Sequence, residues 1–249
     1  MDSIKPNIKA LKLSNALFYY AFASIPFFIG VYIIIPQFVS ENENNFLPFS
    51  ASILLPLLFL LIYAIIIGKL EQSKSGWNGL IERWNLKKMQ KKDWLWTFFL
   101  IAVIFLGYFS LANTGDWIIE KFPFLSPPKG FELIRTENSF FGLPLKGNWW
   151  VLILHIVILV INVFGEELFF RGILFPKQKL IHKKYTWIVH GLCYHLFHMF
   201  YPWDFLRILP ESLAYGFVVQ KTNNTWPGII AHFMFNALGL IGTIYGILG

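Results

Sequence analysis

The chain has 249 residues, of which 56% are hydrophobic, 19% aromatic and only 14% charged, with a net charge of +7. That balance excludes a water-soluble domain, which could not cover so much apolar side chain with polar surface. Nucleic acid is not an expected partner, because no basic patch is interleaved with aromatics. The lone Cys193 excludes an internal disulfide and a multi-cysteine metal site.

Charge-free apolar runs of roughly 17–25 residues cross a bilayer as helices, and they predict spans at 16–39, 48–68, 94–112, 149–165 and 226–248. The first is too long for the apolar core of a secretory signal and lacks a small-x-small cleavage site, so it is expected to stay on the protein. The connection 69–92 mixes Trp77, Leu80, Ile81, Trp84 and Leu86 with basic residues. It suits either a short amphipathic helix lying in the interface or an ordinary positively charged loop. Connection 113–148 carries Ser126-Pro127-Pro128, Gly130, Gly142 and Pro144, which argue against regular structure. Two shorter stretches, 186–200 and 205–220, are separated by Pro202, and the second contains Arg207 and Glu211. Counting them gives about seven spans. The predicted fold is all-α, a polytopic transmembrane helical bundle forming a single membrane domain, with three spans and the long loop in 1–148 and the remainder in 149–249. Tryptophans at span ends form an aromatic belt. No internal repeat of the inverted-repeat transporter kind is visible.

Cytoplasmic loops retain Lys and Arg. With the N-terminus inside, the inner segments hold Lys5, Lys9 and Lys12, all seven basic residues of 69–92, the four lysines Lys177, Lys179, Lys183 and Lys184, and Lys221. The outer segments hold only Lys121, Lys129, Arg135, Lys146 and Arg207. An N-inside integral membrane protein, in the cytoplasmic membrane if the cell is prokaryotic, follows. Its basic inner surface would meet anionic membrane lipid.

Charged groups inside hydrocarbon are costly and ask for a reason. Here they cluster. The fourth span ends in Gly165-Glu166-Glu167-Leu168-Phe169-Phe170-Arg171-Gly172. Glu167 and Arg171 stand at i,i+4 and can neutralise each other, while Glu166 is turned by about 100° and is spare. The fifth span carries His190, His195 and His198, and the seventh carries His232 with Asn236 one turn later. If the fourth and fifth helices form a hairpin turning near His182, Glu166 and His198 lie equally far from the turn and thus at equal depth. A spare carboxylate, two histidines and an amide suit amide hydrolysis: the carboxylate takes a proton from water, and a histidine with an asparagine donates to the oxyanion. Serine catalysis lacks a Gly-x-Ser-x-Gly, and Ser212 has no obvious partner. A catalytic zinc remains open, with Glu166, His198 and His232 as its ligands and a fourth position free.

These motifs resemble the CAAX-protease and bacteriocin-processing family, also called CPBP or Abi. Glu-Glu-x-x-x-Arg is met by Glu166, Glu167 and Arg171, and His-x-x-x-Asn by His232 and Asn236. Phe-x-x-x-His is met at His198 with Tyr194 where phenylalanine is usual, a change of one hydroxyl. The likeness covers roughly 149–239. It implies an intramembrane endopeptidase acting on a membrane-associated protein or peptide, in which Glu166 and His198 activate water and His232 and Asn236 form the oxyanion hole. Glu167, Arg171 and Tyr194 then support the site. Family members are often labelled metalloproteases, yet the same residues also work as a metal-free glutamate-type site, the preferred reading. His190 and His195 match no motif and are read as structural. His155 is on the face of Glu166 but about 16 Å away along the axis. The alternatives are a proton-coupled transporter, a haem-binding cytochrome using paired histidines, and a catalytically silent immunity or scaffold protein.

Overall fold

Among the described residues, five helical runs are long and apolar enough to cross a membrane: Leu13–Phe38, Phe46–Glu71, Lys91–Ser110, Trp149–Phe200 and Trp226–Leu248. They belong to a computed structural model that describes residues 8–40 and 44–249, so Lys5 lies outside the described residues. In chain order the elements are α1 (Leu13–Phe38), α2 (Phe46–Glu71), α3 (Trp77–Arg83), α4 (Lys91–Ser110) and α5 (Thr114–Lys121). The short strands β1 (Ser139–Phe140) and β2 (Leu143–Pro144) follow. Then come α6 (Trp149–Glu166), α7 (Phe175–His182), α8 (Thr186–Phe197), α9 (Phe205–Thr222), α10 (Trp226–Asn236) and α11 (Leu238–Leu248). The architecture is an all-α transmembrane bundle, and the chain is an integral membrane protein. Phe18, Phe98, Leu106 and Ile153 stay 63–67% exposed on its outside, as side chains solvated by lipid tails do.

Each stretch expected to span is helical. The 52-residue run Trp149–Phe200 doubles back where Lys183 takes a positive φ of 50°, so α6 and α8 are the two arms expected around His182. α9 packs against α8 and α4, and α10 packs against α4 and α6. The last expected span is two helices, broken at Ala237 directly after Asn236. Ends are set locally. Gln90 and Asp93 form a reciprocal capping box at the start of α4. Asn223 in the left-handed region closes α9, and the Asn224 side chain accepts from the backbone N–H groups of Lys87 and Trp226.

Two connections are more ordered than composition suggests. The prolines of 113–148 begin at Pro123, and Thr114–Lys121 ahead of them forms α5 despite Gly115 in its first turn. Further on, Phe141 and Gly142 both take positive φ, as a two-residue hairpin turn requires, and they join the antiparallel β1 and β2. In 69–92, α3 does form, but it is docked rather than afloat. Its Arg83 is 2% exposed, binds Glu71 Oε2 at 2.6 Å and donates to the Gly172 carbonyl at 2.7 Å. Lys177 completes the cluster on Glu71 Oε1 at 2.5 Å. Three charges are thus tied to one another and to the backbone just beyond Arg171, a sound arrangement for buried ions.

Candidate active site

Glu166 ends α6, and directly after it the backbone widens into a π-helical stretch, Glu167–Leu174, every residue of which is buried. Such widened turns are rare and often functional. The Arg83 bond to Gly172 holds this stretch from below. Within it Arg171 Nη1 lies 3.1 Å from Glu167 Oε1, with both side chains 0% exposed. The guanidinium lies against the rings of both Tyr194 and Tyr215, 3.8 Å and 4.3 Å from their centroids, which stand at 73° to each other, so cation–π attraction replaces much of the hydration that it loses. Glu167 Oε1 also receives His232 Nδ1 at 3.1 Å. A Cβ at Gly228, in the first turn of α10, would overlap Glu167 Oε2. The helix that carries His232 and Asn236 therefore reaches the carboxylate because position 228 has no side chain.

Glu166 points elsewhere. It lines a cavity of about 310 Å³ together with Tyr194, His198, His232 and Asn236. The Tyr194 hydroxyl donates to Glu166 Oε2 at 2.6 Å, and His198 Nε2 stands 3.9 Å from the same oxygen. His198 sits in a tight turn just past α8, with Nδ1 3.0 Å from the Tyr194 carbonyl. A carbonyl only accepts, so Nδ1 carries the proton and Nε2 of the neutral ring is an acceptor. By the same logic the carboxylate of Glu167 fixes a proton on His232 Nδ1 and leaves Nε2 as its remaining nitrogen. The Asn236 amide makes no hydrogen bond among the described residues. The α9 wall adds Arg207, Glu211 and Tyr215, one turn apart. Arg207 pairs with Asp204 and covers the Tyr108 ring at 4.4 Å. Intramembrane charges facing a polar cavity are the expected disposition.

The other polar candidates lie off the cavity wall. His190 bonds Tyr20 and Gln178, both at 2.8 Å, in a buried cluster. His195 packs its ring on Phe205 at 3.9 Å. His155 meets Thr243 at 2.8 Å and stacks on Phe140. The Ser212 hydroxyl is buried without a partner among the described residues. Among the described residues no three His, Cys, Asp or Glu side chains converge as a metal shell. As placed, Glu166, His198 and His232 are not gathered into such a shell, and the Tyr194 hydroxyl donates to one oxygen of Glu166.

Sequence reasoning passed over Tyr215, Gly228 and Arg83. Arg207 and Glu211 did leave a signal, an i,i+4 pair of charges within an apolar stretch. For Gly228 the Pro227-Gly228 pair reads only as a helix start, and nothing local marks Tyr215 or the destination of Arg83.

Residues 148–238 match the family model described as Type II CAAX prenyl endopeptidase Rce1-like. Over this segment the chain is similar to the CAAX protease family. The segment is little more than a third of the protein and contains α6 to α10, hence every motif residue around the cavity. No curated protein and no solved structure matches the chain. The matched segment supplies all of the cavity-lining residues named above except Tyr108.

Proposed function

We propose that the chain is an intramembrane endopeptidase that hydrolyses a peptide bond of a membrane-associated protein or peptide, using water activated by Glu166 and His198. The observation that carries this reading is the pair of acceptors, His198 Nε2 and Glu166 Oε2, 3.9 Å apart on one cavity wall. That separation is too long for a direct hydrogen bond and suits a water that gives one hydrogen to each side chain. As the water oxygen bonds to the scissile carbonyl carbon, Glu166 takes its proton. The carbonyl oxygen becomes an oxyanion and accepts hydrogen bonds from the Asn236 amide and from His232 Nε2, whose ring carries both protons in this role. The C–N bond then breaks, and Glu166 returns the proton to the leaving amine.

The purified protein in detergent tests this with a peptide ending in a farnesylated CAAX sequence. Asn236→Ala is expected to lower kcat by about 10²–10³, the cost of one oxyanion donor. The unmodified protein is expected to hold less than one zinc per chain by elemental analysis and to stay active in chelator. One bound zinc that is lost and restored together with activity would overturn the metal-free chemistry and leave the peptidase reading standing.

We infer the orientation from the distribution of basic residues. The N-terminus and the 69–92 connection face the cytoplasm, and 113–148 faces outward. Lys88 is exposed and Cys193 is buried, so a Lys88→Cys protein reports on one site. A membrane-impermeant maleimide is expected to label it only after the cells are opened. Labelling of intact cells would reverse the topology.

A further inference from the structure

We propose that the Tyr194 hydroxyl is a positioning group for the general base, a role that rests on the reading of Glu166 given above. Tyr194 is 2% exposed, and its ring has little freedom. Arg171 lies 3.8 Å from its centroid on one side, the His198 ring stands edge-on at 4.6 Å, and Phe170 and Phe197 close around it at 5.0 Å and 6.0 Å. The hydroxyl is thus carried on a rigid plate. The 2.6 Å bond from it to Glu166 Oε2 is short enough for a charge-assisted contact, among the stronger kinds of hydrogen bond.

In this chain Glu166 is held at its carboxylate by that hydroxyl. Its flexible side chain leaves the helix where α6 gives way to the widened turn, and no other donor within hydrogen-bond distance holds the carboxylate among the described residues. Tyr194 also supplies, through its backbone carbonyl, the acceptor that turns His198 Nε2 toward Glu166. One residue therefore orients both halves of the water site, its main chain setting the histidine and its side chain the carboxylate. A carboxylate oxygen has room for more than one hydrogen bond, so the hydroxyl restrains Oε2 without closing it to water. A phenylalanine would fill the same space and keep the main-chain half of the arrangement, but would let the carboxylate swing. Small misplacements of a reacting group cost rate rather than binding.

The test is Tyr194→Phe in the full-length detergent-solubilised protein, beside Glu166→Gln. The infrared difference between the unmodified protein and Glu166→Gln isolates the Glu166 carboxylate bands, and it requires no substrate. Those bands are expected to move in Tyr194→Phe, and unmoved bands overturn the proposal. On the farnesylated CAAX peptide, kcat is expected to fall about tenfold, with KM within about twofold and the melting temperature unchanged. An unchanged kcat overturns the proposal, and so does a loss of activity matched by a rise in KM or a fall in melting temperature. If Glu166→Gln itself keeps full activity, it is the general-base reading that fails.

Discussion

Glu166→Gln is expected to reduce peptide cleavage by roughly 10² to 10⁴, the range associated with a single acid–base group, while the protein folds and purifies as before. The amide keeps the size and shape of the carboxylate, and its oxygen can still accept the Tyr194 hydroxyl that now reaches Glu166 Oε2 at 2.6 Å. What disappears is the site that takes a proton from water. His198 Nε2 remains as an acceptor, so a water can still be held without being activated, and the loss should appear in kcat with KM little changed. Turnover of the farnesylated CAAX peptide, measured beside a melting curve, checks both halves. A Glu166→Gln protein that cleaves at the original rate would remove Glu166 from the chemistry and, with it, the proposed mechanism.

Much of the fold is legible because lipid imposes a simple grammar. A spanning helix needs a long apolar run, and the runs around Ala16, Leu60, Leu100 and His155 announce themselves. The depth of the cluster is legible for a similar reason. Equal numbers of residues on either side of a turn put Glu166 opposite His198, and the turn falls at Lys183, one residue past the expected position. The widening after Glu166 is another matter. Helical periodicity assumes a constant turn, and the segment Glu167–Leu174 contains ordinary helix formers with no proline or glycine pair to signal a change. The positive charge of Arg83 reads as an inner-loop residue by the positive-inside rule, yet it ends beneath the site on the Gly172 carbonyl. Such a contact is set by the docking of α3 and not by any pattern within it. The same limit applies to the aromatic corner around Arg171. Tyr194 and Tyr215 lie on separate helices, and only the α8–α9 packing makes them adjoining walls of one cation site.

That buried cation site sets the second large effect, since Arg171→Ala should damage the protein as well as its activity. Glu167 and Arg171 are both fully buried, and removing the arginine leaves a carboxylate in hydrocarbon surroundings with only His232 beside it. Breaking a buried pair in this way costs about 3–5 kcal/mol, a large part of the stability of a typical domain. Lower yield, a lower melting temperature and lost cleavage are expected together. Arg171→Lys should be intermediate, because it keeps the charge but lacks the broad, weakly hydrated guanidinium that lies against the two tyrosines. Gly228→Ala approaches the same pair from the other side without changing any charge. Its methyl group would meet Glu167 Oε2, so either the carboxylate or α10 must give way, and with α10 go His232 and Asn236. Activity should therefore fall further than stability. Because both substitutions act through Glu167, the double variant should lose less stability than the sum of the single losses. A well-folded, fully active Arg171→Ala protein would show instead that the pair has the small value of an exposed one, and that Glu167 reaches its position on α10 without help from the arginine.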